Sequence, residues 1–224
     1  MLFLDHRRCA FALLLLCAPI FAQSDSGSYD ETSRLYRNRA YAFSCKVPAG
    51  WVLRTDKMNG VPDAEKSDSV KTDPATSQVL LAAFERPPEA TGPTPASTIL
   101  IATESQSTYP GLKNPEDYFG PLTEVVAAKG FKIINDPYPF KLGTTSLVRV
   151  DFSREDKDRV TMYQSTLVLL THGTIVSFTF LAASEDEIEG LIENLSFSST
   201  PKLLQRPLPS RKQNRPRTTF SKPY

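Results

Sequence analysis

TIVSFTFLAASEDEIEGLIENL, residues 174–195, changes its hydrophobic period half-way along. Over Thr174–Ala182, Val176, Phe178 and Phe180 fall on one side and Ile175 and Leu181 on the other, the alternation of a strand. Apolar residues on both sides predict a central strand covered on each face. Ser184 with Glu187 then has the spacing of a capping box. Beyond it, Ile188, Leu191, Ile192 and Leu195 recur at i, i+3, i+4 and i+7, the stripe of a helix that faces a core. A covered strand feeding directly into an amphipathic helix is an α+β arrangement.

Upstream, the β signals continue. His172-Gly173 reads as a tight connection back to a strand over Val160–Thr171, and Arg154–Arg159 as a charged turn. Before that turn, Val148, Val150 and Phe152 alternate with Arg149 and Asp151, which predicts a strand with one wet face. Asn114 precedes Pro115, a helix-start signal. Pro121 lacks an N–H and clashes inside a helix, so the spacing predicts a short turn over 115–119. A helix then opens at Pro121, buries Leu122, Val125 and Val126, and stops at Gly130. Gln78–Glu85 and Ser97–Thr103 read as antiparallel neighbours joined by a proline-rich loop. Tyr41–Val47 and Trp51–Arg54 are two further strands, and the polar stretch 56–77 is a loop or insertion.

The N-terminus predicts export. Arg7 and Arg8 precede an uncharged run from Ala10 to Ala18, and Ala22 is a small exit residue. These are the parts of a signal peptide over residues 1–22, with an apolar core of about ten residues where a membrane span needs about 20. Cys17 invites a lipoprotein reading, but Leu16 before it is large, so cleavage after Ala22 is expected. Loss of this segment takes Cys9 and Cys17 and leaves Cys45 with no intramolecular disulfide partner. Residues 23–33 are polar and read as a flexible leader.

Charge is distributed unevenly. Residues 23–199 carry 17 Lys and Arg against 24 Asp and Glu, whereas residues 200–224 carry seven basic residues and no acidic one. Lys202, Arg206, Arg211, Lys212, Arg215, Arg217 and Lys222 stand among five prolines, so residues 199–224 read as a disordered, basic tail. Such a tail either solubilises the chain or contacts an anionic surface.

Two segments resemble a known family. Tyr36-Arg37-Asn38-Arg39-Ala40-Tyr41-Ala42-Phe43, continuing to Val47-Pro48-Ala49-Gly50-Trp51, is similar to the first strand and turn of PsbP-like domains. The closing strand, capping box and helix from Ile175 to Phe197 resemble the way those domains finish. The resemblance brackets residues 34–198 and implies a largely antiparallel β-sheet flanked by helices. It also implies partner binding rather than catalysis, and it supplies no catalytic residue to carry over. Trp51, after a Pro-Gly turn, is placed to cap one end of the core.

The candidate chemistry is sparse. Cys45 lies mid-strand, where a free cysteine is usually packed rather than reactive. His172 at a turn is the one histidine beyond the signal segment, which rules out a cluster of histidine ligands. Asp151, Glu155, Asp156 and Asp158 alternate with cations as a solvated turn does, without calcium-loop spacing. Asn194-Leu195-Ser196 is a glycosylation sequon, and no Gly-x-Ser-x-Gly elbow occurs. No catalytic, metal or cofactor residue is assigned. The reading is an exported, periplasmic or secreted, non-catalytic binding module of unknown protein or envelope partner, with the basic tail a contact for anionic surfaces. An enzyme of unrecognised type and a structural envelope protein are the alternatives.

Overall fold

The computed structural model describes residues 27–59, 77–90, 92, 95–155 and 159–198. The expected signal peptide over 1–22 and the basic tail with its seven cations lie outside these residues, as does most of the polar insertion. In chain order the elements are β1 (Ser28–Asp30), β2 (Leu35–Asn38), β3 (Phe43–Lys46), β4 (Val52–Leu53), α1 (Thr55–Asn59), β5 (Ser77–Phe84) and β6 (Thr98–Ser105). There follow α2 (Phe119–Ala128), β7 (Lys132–Ile133), β8 (Tyr138–Leu142), β9 (Thr145–Glu155), β10 (Thr161–Thr171), β11 (Thr174–Ala182), α3 (Glu185–Ile192) and β12 (Leu195–Phe197).

All strand pairs are antiparallel. The large sheet runs β4-β5-β6-β11-β10-β9-β7 with β8 also on β9, and the small sheet runs β1-β2-β3-β12. β11 is the middle strand of the large sheet, and the two-sided apolar pattern of Thr174–Ala182 is used on both sides. Val176, Phe178 and Phe180 join a core that the small sheet and α3 close. Ile175 joins a second core with Val148, Val150, Phe152, Phe119 and Val126, closed by α2. The fold is therefore α+β, a largely antiparallel sheet with helices packed on it.

Local signals account for most boundaries. The β10–β11 hairpin turns on His172 and Gly173, both at positive φ (48° and 74°), the backbone that a two-residue hairpin requires. Gly130, at φ 84°, ends α2 in the left-handed position that glycine adopts without strain. Ser184 Oγ accepts the Glu187 N–H at 3.2 Å, but the returning half of the capping box is absent. The Glu187 carboxylate instead accepts from Ser97 Oγ at 2.5 Å, which ties α3 to the start of β6. Trp51 packs on the rim of the first core.

Four expectations are corrected. α2 opens at Phe119, not Pro121; the proline is its third residue, where the missing N–H has no intrahelical acceptor to serve. Phe119 and Val126, seven residues apart on one face, are buried, while Val125 is turned outward and 56% exposed. Ser28–Asp30, inside the stretch read as flexible leader, pairs with β2. β7 and β8 were not expected, and β8 covers the edge of β9 along its first half. The strand around Val148–Phe152 has no wet face: Arg149 is buried and Asp151 partly so, because Glu189 of α3 and the Tyr138 and Phe140 side chains of β8 close over the polar residues.

Candidate binding cavity

Among the described residues, the covered polar residues of β9 build the constellation of most chemical interest. Across the large sheet an apolar row runs Leu81, Ile101, Phe178, Leu167, and its next register position is Arg149. Arg149 is 6% exposed. A guanidinium so placed is stable only when its charge and N–H groups are met. Its Nε donates to Asp151 Oδ1 at 2.8 Å and its Nη2 to Glu189 Oε1 at 2.5 Å. The guanidinium carbon lies 5.2 Å from the centroid of the Phe140 ring, within cation–π range.

Asp151 is saturated on its far side as well. Oδ2 accepts from Asn135 Nδ2 at 2.8 Å and from the Tyr138 hydroxyl at 3.1 Å. Asn135 Oδ1 in turn accepts the Asp151 backbone N–H at 3.1 Å. β7 and β8, the two strands that sequence patterning missed, thus position both neutral partners. Glu189 comes from α3, where Glu185 and Glu189 stand four residues apart on one helix face and Ile188 lies between them.

Together these side chains bound a cavity of about 110 Å³, whose walls include Ile134, Tyr163, Glu185 and Ile188 besides Arg149 and Asp151. The ionisable groups are displaced from their ordinary ranges. Burial pushes the Asp151 carboxyl up, but hydrogen bonds from Asn135 and Arg149 and the arginine's charge outweigh it and hold the carboxyl low. Burial pushes Arg149 down, and its bonds to Glu189 and Asp151 more than restore it. Burial, with the Asp151 charge beside it, moves the Tyr138 hydroxyl up to about 12.

The residues singled out from sequence sit elsewhere. Cys45 is wholly buried in β3, and burial moves its thiol up to about 12. His172 is exposed at the hairpin tip, its Nδ1 2.9 Å from Thr171 Oγ1. Asp151, expected on a solvated turn, is at the cavity floor instead; 156–158 lie outside the described residues. Asn194 follows α3 and donates to the Gly190 carbonyl at 2.9 Å, with Leu195 buried as expected. A second polar cluster, Glu104 accepting from the Tyr109 and Tyr118 hydroxyls, ties β6 to the turn before α2. Among the described residues no three His, Cys, Asp or Glu gather as a metal site, and no helix is long and apolar enough to cross a membrane.

With this geometry in view, several solved structures are similar to the chain. A cyanobacterial PsbP is among them. That protein, from Synechocystis sp. PCC 6803, is 13% identical, with a TM-score of 0.46 over 82% of this chain and 99% of that one. LpqN, involved in cell envelope biogenesis of Mycobacterium tuberculosis, is 17% identical, with a TM-score of 0.35 over 70% and 83% of the two chains. A Pseudomonas aeruginosa protein of unknown function is 13% identical, with a TM-score of 0.34 over 59% and 81%. No family model matches the chain, and no curated protein matches it in sequence.

Proposed function

We propose that the chain is an exported, non-catalytic binding module, with the cavity between β9 and α3 as its ligand site and the basic tail as an anchor to anionic surfaces. The observation that carries this reading is the bonding of the cavity's inner groups: Arg149 is buried and held by Asp151 and Glu189, and Asp151 is held by Asn135 and Tyr138. The pKa shifts agree with it. Proton transfer is most effective from a group whose pKa lies near the working pH. Asp151 is held low, Arg149 is raised, and Tyr138 stands at about 12. Each keeps one protonation state at neutral pH, which suits fixed recognition rather than acid–base chemistry. The burial of Cys45 supports the same reading, since a thiol moved up to about 12 is a poor source of thiolate.

Export is supported by the charged start, apolar run and small exit residue of the first 22 residues. The anchor is supported by the seven unopposed cations of residues 200–224, each worth roughly 1 kcal/mol close to an anionic membrane. Co-sedimentation with vesicles tests it. The chain with its tail should sediment with vesicles containing anionic phospholipid at low salt and stay in solution with neutral ones. The chain ending at Ser198 should stay in solution with both. The attraction should fade as the Debye length falls to about 8 Å. Equal sedimentation of the two chains on anionic vesicles at low salt would leave the tail without an anchoring role.

A further inference from the structure

We infer that the cavity takes a small zwitterion of the α-amino-acid class, with the ligand carboxylate on Arg149 and the ligand ammonium toward Glu185 and Glu189. The inference rests on the reading of the chain as a binding module and names the chemistry of its ligand.

The first observation is the unfinished pairing of Arg149. A guanidinium has five N–H groups in a fixed fork. Asp151 takes the Nε–H and Glu189 takes one N–H on Nη2. The remaining three have no acceptor among the described residues, although the side chain is only 8% exposed. Arg149 nevertheless lines the cavity, and open donors of a buried arginine beside a void are how proteins receive a carboxylate.

The second observation is the asymmetry between the two carboxylates that hold it. Asp151 is committed on both oxygens, to Arg149 on one and to Asn135 and Tyr138 on the other. It fixes the guanidinium and, with three acceptor sites taken and its side chain 17% exposed, is the less available of the two for a ligand cation. Glu189 is different: it makes a single bond, and its side chain is 53% exposed. With Glu185, also exposed, it stands at the solvent side of the cavity and can meet a positive group there.

Charge then selects the ligand. A simple anion reaching Arg149 must pass Glu185 and Glu189 and sit close to Asp151, three negative charges against one positive. A simple cation finds only two exposed glutamates, whose pairing in high dielectric is weak. A molecule carrying both charges meets each group with its opposite. Ile134, Ile188 and Tyr163 supply apolar wall for a short side chain, and about 110 Å³ excludes anything much larger. No described residue bonds the Tyr163 hydroxyl, which leaves it as a further polar contact.

Titration calorimetry of the full chain with glycine, L-alanine, acetate and methylamine tests the assignment. Glycine or alanine should bind saturably at one site, with acetate and methylamine at least tenfold weaker. Glu189→Gln alters an exposed residue, so the protein should stay folded by circular dichroism. That variant should lose affinity for the amino acid tenfold or more and gain affinity for acetate, because the site has lost its ammonium partner and Arg149 its competing carboxylate. Arg149→Lys should abolish both, and the glutamate variant keeps the test decisive should the lysine variant fail to fold. Absence of saturable binding of either amino acid, or acetate binding as tightly as glycine, would overturn the zwitterion assignment. That outcome would leave the vesicle result and the Asp151 titration untouched, so the reading of a non-catalytic module with an anchoring tail stands or falls separately.

Discussion

Replacing Asp151 with alanine is expected to lower the unfolding free energy by about 3–5 kcal/mol, the loss typical when one partner of a buried ion pair is removed. The substitution strips Arg149 of its inner carboxylate and leaves its Nε–H without an acceptor. It also orphans the Asn135 amide and the Tyr138 hydroxyl, both of which donate to Asp151 Oδ2. Glu189→Gln should change stability by no more than about 1 kcal/mol, since that carboxylate is half exposed and its pairing is weakened by solvent. Urea denaturation of the two variants beside the parent chain measures the contrast; equal losses would mean that Asp151 is no more than a surface partner.

The same pair sets a pH dependence whose sign follows from Asp151. Its folded carboxyl is held below the ordinary range, so the folded state binds this proton less readily than the unfolded chain does. The resulting stabilisation is fully present above the unfolded value of about 3.9 and is lost as pH falls through the folded value. Asp151→Asn should flatten that acid limb and leave the neutral and alkaline limbs parallel to those of the parent.

The second large effect is expected at Phe178. This ring is wholly buried at the middle of β11 and meets Phe43 of the small sheet edge-on, with centroids 5.0 Å apart and an angle of 85°. It also meets Phe197 of β12 at 5.7 Å. It therefore joins the two sheets as well as filling the core. Phe178→Ala should lower the unfolding free energy by about 3–5 kcal/mol through lost burial and the cavity left behind, with the ring contacts contributing about 0.5–1.5 kcal/mol each beyond their area. Val125→Ala, on the exposed side of α2, should stay within about 0.5 kcal/mol of the parent. A small loss at Phe178, or a large one at Val125, would contradict the packing described above.

The contrast between these positions shows what sequence pattern carries and what it does not. The double alternation of Thr174–Ala182 placed β11 at the sheet centre correctly, because period and composition alone specify a strand covered on both sides. The stripe Ile188, Leu191, Ile192 and Leu195 was legible for the same reason. Val125 was misplaced because the helix starts two residues earlier than its proline suggested and so includes Phe119, which shares a face with Val126 seven positions on and leaves Val125 about 100° round from Val126. Arg149 and Asp151 were read as solvent-facing because alternation gives the face of a residue but not what covers that face. The covering groups are β8, whose hairpin to β9 carries no strong strand signal in Tyr138-Pro139-Phe140, and Glu189, forty positions away in sequence. A cue was present: Arg149 and Asp151, opposite in charge, stand two residues apart on one face of a strand, and buried charges come in pairs.

Whether Asp151 exchanges a proton near neutrality is read by titrating its carboxyl carbon by nuclear magnetic resonance. In the proposed binding module this group is fixed as an anion at neutral pH, holding an arginine for binding rather than exchanging a proton. Its signal should titrate below the ordinary aspartate value of about 3.9 and stay flat through neutrality. A midpoint between about pH 6 and 7, where an acid–base catalyst is poised, would contradict the account and make the cavity an active site.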